Sequence, residues 1–371
     1  MDFSDFQLDQ TIQAGIAALG YTSPTPIQEQ AIPPALDGLD IMGLAQTGTG
    51  KTAAFVIPIL QMLMAGRRGL VRSLVLSPTR ELAEQTCGFF QALGAKTGLK
   101  AASIYGGVSK DKQAQQIRSG ADILVACPGR LLDLAHDGIV DLSAIESLVL
   151  DEGDRMLDMG FIPDIRKILK RLPRQRQNML FSATMPEDIR RLSAQILVDP
   201  VRVQIDHEQP LQGISQCLYL VERLSKPEML LALLKQKQAE ATLVFTRTKH
   251  MATKLARKLN SAGLRARDLQ GNMSQSNRRQ VLQGFKKGSF NILVATDVAS
   301  RGIDIDRIEH VINYDMPDTA ESYTHRIGRT GRATRSGKAS TFVEPKDYRV
   351  IRTIERNHSQ HIQRKALKAQ T

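Results

Sequence analysis

The sequence predicts an α/β protein built as two doubly wound parallel-sheet domains in tandem, joined by a short linker. Three observations lead there. Short, nearly unbroken Val/Ile/Leu runs alternate with segments of helical length along the chain, as expected for strands buried on both faces of a parallel sheet. The alternation lapses once, near residue 210, and then restarts. The length, 371 residues, accommodates two domains of ordinary size.

In order, the first apolar run is 41–44. It leads into Ala45-Gln46-Thr47-Gly48-Thr49-Gly50-Lys51-Thr52 and a helical run to residue 64. Strand, Gly-rich turn closing on Gly-Lys-Thr, and helix form the context of a phosphate-binding loop. Backbone N–H groups and the helix N-terminus supply positive potential for an anion. Lys51 is expected on the β/γ-phosphates and the Thr52 hydroxyl on Mg²⁺. Ala45 stands where the usual pattern has Gly; a plain β–α turn with a capping Thr is the alternative.

Further strands are expected at 73–77, 101–105, 122–127, 147–150, 178–181 and 201–204, with helices such as 80–93 and 162–171 between them. The 147–150 run ends in Asp151-Glu152. Asp151 is placed to hold the Mg²⁺ shell and Glu152 to polarise an attacking water. Domain one is assigned to 1–206 and a polar linker with Pro210 and Gly213 to 207–216.

Domain two is assigned to 217–345, with strands at 217–221, 241–246, 266–269, 291–295, 309–313 and 339–343. It contains His325-Arg326-Ile327-Gly328-Arg329-Thr330-Gly331-Arg332. Arginines three apart in a Gly-containing turn suit a γ-phosphate contact of the arginine-finger kind, worth roughly 10³–10⁵ in rate. The 346–371 tail is read as a basic helix that frays from 360.

Composition narrows the partners. Net charge is +12, from 50 Lys+Arg against 38 Asp+Glu, which favours a polyanion such as nucleic acid. Aromatics are only 5% and Trp is absent, so aliphatic side chains fill the cores and base stacking is not the main grip. Cys87, Cys127 and Cys217 make no zinc or disulfide pattern. With no basic leader and no long apolar run, a cytoplasmic protein is expected.

Taken together, the motifs resemble those of DEAD-box RNA helicases of superfamily 2, and the short tail is similar to the bacterial RhlE-type branch. The resemblance runs through 20–28, 45–52, Pro78-Thr79-Arg80-Glu81-Leu82-Ala83, Gly106-Gly107, Cys127-Pro128-Gly129-Arg130, Asp151-Glu152-Gly153-Asp154, Ser182-Ala183-Thr184, 244–248, 275–278, 295–304 and 325–332.

It implies RecA-like domains, ATP and Mg²⁺ as cofactors, and RNA gripped through its backbone. Gln28 is expected to read adenine and Tyr21 to stack on it. Gln46, Thr47, Gly48, Thr49, Gly50, Lys51 and Thr52 would hold phosphates, Gly302 and Asp304 the ribose side, and Arg326 and Arg329 the γ-phosphate. Pro78, Thr79, Arg80, Gly107, Gly129, Arg130, Arg278 and Thr296 would contact RNA. Asp154, Ser182, Thr184 and His325 would couple hydrolysis to domain contact. Ribosomal or RNA-decay assemblies are implied partners of a monomeric core. Two departures stand out: Gly153 where the family has Ala, and Cys127 where Thr is usual. An ATP-gated RNA clamp, a DNA helicase of the same superfamily and a stand-alone P-loop kinase or GTPase are the rival readings.

Overall fold

The computed structural model describes residues 1–46, 48–205, 213–221, 225–235, 240–300, 305, 307–331, 336–357 and 361–365. The chain divides into two units, Met1–His207 and Glu208–Thr371.

In the first unit the strands are β1 (Ile41–Leu44), β2 (Ser73–Leu76), β3 (Ala101–Ile104), β4 (Ile123–Ala126), β5 (Ser147–Asp151), β6 (Gln177–Ser182) and β7 (Val201–Gln204). They form one parallel sheet in the order β3-β4-β2-β5-β6-β1-β7. Alternate side chains point to opposite faces of a strand. Val75, Val125 and Val149 accordingly pack into one core layer, and Leu74, Leu124 and Leu148 into the other. All six are fully buried, each stabilising the fold by roughly 1.5–3 kcal/mol relative to exposure.

The second unit has β8 (Ile214–Leu220), β9 (Thr242–Phe245), β10 (Ala266–Leu269), β11 (Ile292–Ala295), β12 (His310–Asn313), β13 (Gly337–Val343) and β14 (Gln363–Lys365). Their order is β10-β11-β9-β12-β13-β8-β14, again parallel. Adding seven to each strand number of the first sheet gives the second. The two units therefore share one topology, although no sequence repeat shows it.

The structure corrects two boundaries. Residues 214–216, read as linker, begin β8; residues 206–212 lie outside the described residues. The tail holds a helix over Tyr348–Asn357 and then, where fraying was expected, β14, which pairs with β8. Among the described residues, no helix is long and apolar enough to cross a membrane.

Candidate functional site

In the first sheet, β5, β6 and β1 are consecutive neighbours. Their carboxyl ends place residues 151–152, 182–184 and 45–52 side by side, at the edge where open α/β sheets take ligands. Ala45 extends the β1 ladder, its N–H donating to the Ser182 carbonyl (3.1 Å). The Thr49 hydroxyl donates to the Gln46 carbonyl (2.7 Å) and closes the turn. Thr47 lies outside the described residues.

Gly50 is the N-cap of the helix Lys51–Met64, with φ +96 and no side-chain cap. A Cβ there would stand 2.8 Å from the Thr25 hydroxyl. The helix start thus keeps backbone donors open for an anion, and Thr52, half-buried, is not its cap. Lys51 is buried, with its ammonium donating to the Ala45 carbonyl. Burial lowers its pKa, against the pull of Glu152, Asp151 and Asp154.

The residues upstream brace this loop. Thr25 and Gln28 form a capping box at the start of the helix Pro26–Leu36. The Thr25 hydroxyl also donates to the Thr49 carbonyl (2.8 Å), and the Gln28 amide to the Gly50 carbonyl (3.1 Å), while its oxygen accepts from the Thr25 N–H (2.9 Å). One lone pair and one N–H of that amide remain for a base edge. Tyr21, 38% exposed, lies between Phe3 (6.4 Å, near-parallel) and Phe89 (6.1 Å).

Asp151 ends β5 fully surrounded by protein. Burial and then the neighbouring Glu152 charge push its carboxyl up to about 7. Glu152 adopts φ +55, ψ +54, a left-handed conformation that costs a non-glycine residue roughly 1–2 kcal/mol. Its carboxylate accepts from the Arg155 guanidinium at 2.6 Å, both side chains being buried. Asp154 is clasped from the next strand end. Its Oδ2 accepts the Thr184 N–H (3.0 Å) and hydroxyl (3.1 Å), while its own N–H donates to the Ser182 hydroxyl (3.1 Å). Ser182 and Thr184 therefore do not cap the next helix, Glu187–Ile196, whose N-cap is Pro186.

The other half of the same sheet edge belongs to β3, β4 and β2. After β2, buried Pro78 and Thr79 precede the helix Arg80–Leu93, which the Thr79 hydroxyl caps by accepting the Leu82 N–H (3.3 Å). After β3, Gly107 has φ +84, and a Cβ there would lie 2.7 Å from the Arg80 guanidinium carbon. After β4, Arg130 donates to the Val108 carbonyl (3.1 Å) and to Gln113 (2.9 Å), with Gly129 beside it. Arg80, Gly107, Gly129 and Arg130 thus come together on one stretch of edge.

The second unit alters one expectation. Arg326, on the helix Ala320–Ile327, is only 4% exposed. It makes a bidentate pair with Asp297 (2.6 and 2.7 Å), donates to the Asp315 carbonyl (2.7 Å) and Asn313 (3.3 Å), and lies over the Phe245 ring. An arginine committed in this way anchors its own unit, which corrects its assignment to the γ-phosphate. Arg329 and Thr296 are buried and His325 half-buried; Thr296 directly follows β11, while His325 and Arg329 lie on and just after the helix Ala320–Ile327. Arg278, expected on RNA, is buried too, its guanidinium bracing the Ala299 carbonyl. Gly302 and Asp304 lie outside the described residues.

Residues 25–192 match the DEAD/DEAH box helicase model, and residues 225–334 the helicase conserved C-terminal domain. DEAD-box ATP-dependent RNA helicase CshA of Streptococcus pneumoniae is 44% identical over 356 residues, 96% of this chain and 68% of the relative. The chain belongs to the DEAD-box ATP-dependent RNA helicase family.

Two other DEAD-box relatives agree. RhpA of Helicobacter pylori is 42% identical over 97% of this chain and 73% of its own. ATP-dependent RNA helicase DeaD of Buchnera aphidicola is 44% identical over 96% of this chain, which spans only 59% of that relative's length. Among solved structures, S. cerevisiae Dbp5 bound to RNA and ADP BeF3 is similar with a TM-score of 0.87 and 31% identity, covering 98% of this chain and 95% of its own. The DEAD box protein from Methanococcus jannaschii has a TM-score of 0.56 at 38% identity, covering 99% of both chains.

Within this DEAD-box chain both departures have a structural account. A Cβ on Gly153 would meet the Ser182 hydroxyl at 3.8 Å and Ile189 at 3.9 Å, ordinary contacts, so the family's Ala fits the space. Cys127 is the N-cap of the helix Pro128–His136 and makes no side-chain cap bond. Thr there is a good N-cap and Cys is not, a difference of about 1 kcal/mol. Burial raises the thiol to about 12, so it stays protonated.

Sequence reasoning gave no role to Thr25, Arg155 or Asp297. The Thr25-x-x-Gln28 capping box and the Glu152–Arg155 spacing of three were readable signals. Asp297, 29 residues before Arg326, offered none.

Proposed function

We propose that this DEAD-box protein hydrolyses ATP in response to RNA and uses the cycle to separate short RNA duplexes. The observation that carries the reading is the division of one sheet edge. The ends of β5, β6 and β1 carry a phosphate loop and carboxylates, while the adjoining ends of β3, β4 and β2 carry arginines and glycines suited to a sugar-phosphate chain. Strand binding and hydrolysis then bear on the same rigid sheet.

Lys51 and the N–H groups of the 45–52 loop would hold the phosphates, Gln28 and Tyr21 the adenine, and Glu152 the attacking water. Asp151 and Thr52 fit Mg²⁺: they offer hard oxygen ligands, and desolvation and a like charge, which a cation would offset, push the buried Asp151 carboxyl up to about 7. Bound Mg²⁺ neutralises phosphate charge. Arg329, with Gly302 and Asp304, would complete the nucleotide site from the second domain. The division into a first domain ending at 206 and a second that begins with β8 and includes β14, with closure between them, belongs to this proposal. So do RNA contacts by Pro78, Thr79, Arg80, Gly107, Gly129, Arg130, Arg278 and Thr296, and coupling through Asp154, Ser182, Thr184 and His325. A cytoplasmic, monomeric core acting on ribosomal or RNA-decay assemblies completes it.

Strand displacement on a short RNA duplex tests the reading, run with ATP and with a non-hydrolysable analogue. Multiple-turnover release of the strand with ATP alone is expected. Tight RNA retention with no displacement under either nucleotide would instead mark an ATP-gated clamp.

A further inference from the structure

The end of the first sheet opposite the nucleotide loops holds a cavity of about 690 Å³. It lies where Asp40 leads into β1 and where Asn178 sits in the first residues of β6, beside the last turns of the helices Ile162–Leu169 and Glu187–Ile196. Four cations line it: Arg166, Lys170, Arg174 and Arg176. Arg176 is held inward, its Nε donating to the Asn178 amide oxygen at 2.8 Å. The side chains of Arg166, Lys170 and Arg174 are exposed and make no hydrogen bond or ion pair among the described residues.

The lining offers them little charge in return. Its one carboxylate, Asp40, is spent: Oδ1 accepts the Asn178 N–H (2.7 Å), and Oδ2 accepts the Val198 N–H (2.8 Å) and the Asn178 side chain (3.2 Å). A helix macrodipole accounts for cations on its last turn, hence for Arg166 and Lys170. It does not account for Arg174, in the turn beyond. Nor does it explain two large apolar side chains left exposed on the same lining, Leu39 at 47% and Val198 at 73%.

We propose that this cavity is a docking site for an acidic peptide segment of a partner protein that carries aliphatic side chains between its carboxylates. Charge complementarity selects the acidic partner: three uncommitted cations face no free carboxylate. The exposed Leu39 and Val198 select one with apolar anchors. Single-stranded nucleic acid is the poorer fit, because a sugar-phosphate chain would engage the cations but leave the exposed Leu39 and Val198 without apolar partners. β1 is four residues long, about 13 Å, and joins this cavity to the phosphate loop. A docked partner would therefore leave the ATP and RNA edge open.

The test uses the full chain and a fluorescein-labelled twelve-residue peptide of Asp, Glu and Leu, read by fluorescence anisotropy. Charge reversal at Arg166→Glu, Lys170→Glu and Arg174→Glu is expected to weaken binding at least tenfold. Replacing the peptide's Leu by Ser should weaken it similarly. The same charge change on the exposed face of the helix Lys249–Ser261, as Lys254→Glu, Arg257→Glu and Lys258→Glu, should leave binding within twofold. RNA-stimulated ATPase should be unchanged in both variants. If the triple variant fails to fold, Arg166→Gln with Arg174→Gln should still cost at least threefold. Peptide binding that is absent, equal in wild type and variant, or indifferent to Leu overturns the proposal. RNA affinity that falls tenfold with the charge reversal overturns it also, by making the face part of a nucleic-acid path.

Discussion

The Asp154 carboxylate receives both the backbone N–H and the hydroxyl of Thr184, at 3.0 and 3.1 Å, across 30 residues of sequence. The pair ties the turn after β5 to the turn after β6, next to Lys51 and the phosphate loop. Thr184→Val keeps the shape and the N–H contact but removes the hydroxyl. Leaving one acceptor of a buried carboxylate short costs roughly 1–3 kcal/mol. The expected outcome is a midpoint shift of that size in urea denaturation, with ATP binding retained and duplex separation reduced at least tenfold. Unwinding at the wild-type rate would show that the clasp serves only the fold.

Gly153 is the family's alanine position, and the structure leaves room for a methyl group at ordinary contact distance. Its φ is outside the positive region, so Ala costs no backbone strain there. Gly153→Ala should raise stability by about 0.5–1 kcal/mol, chiefly by restricting the unfolded chain. RNA-stimulated ATPase should stay within twofold. Chemical denaturation alongside ATPase kinetics checks both.

Arg326 is the buried centre of four hydrogen bonds to Asp297, Asp315 and Asn313. Arg326→Ala strands these acceptors and should destabilise the second unit by about 2–4 kcal/mol. Arg326→Lys recovers only part, because an ammonium cannot reproduce the bidentate fork. Calorimetry of the full chain should show one transition moved and the other in place. An Arg326→Ala protein of wild-type stability that had lost only ATPase would restore the γ-phosphate role.

The nucleotide-free protein should lose stability as pH rises towards neutrality. The Asp151 carboxyl titrates near 3.8 when unfolded and up to about 7 when native. Between those values the native state binds more protons than the unfolded one, so stability falls as pH rises through that window and is lowest above 7. Asp151→Asn removes this contribution. The difference between wild type and variant, measured by denaturation from pH 5 to 8, should therefore shift in favour of the variant as pH increases.

Much of this was legible in the sequence, for a physical reason. β2, β4 and β5 lie between covered faces and are buried along their length, so they are apolar except for Ser73, Ser147 and Asp151 at their ends, and a short aliphatic run then marks a strand. The phosphate loop was legible because Gly-Lys-Thr between strand and helix has one dominant use. β14 was not legible. Its side chains, Gln363, Arg364 and Lys365, are exposed, so backbone pairing with β8 alone makes it a strand. The Arg326 anchor was hidden for a related reason. An arginine among glycines looks ready for phosphate, and only the fold brings Asp297, Asn313 and Asp315 around it. The common topology of the two units was masked because buried strands demand apolar residues but not particular ones.

The central claim is that Glu152, held beside Lys51 and Asp151 at the end of β5, activates the water that cleaves ATP. RNA-stimulated phosphate release by Glu152→Gln, measured at saturating ATP and RNA, tests it most directly. Release slowed by at least a hundredfold is expected, with ATP and RNA still bound as tightly as by the wild type. Phosphate release at the wild-type rate would contradict it.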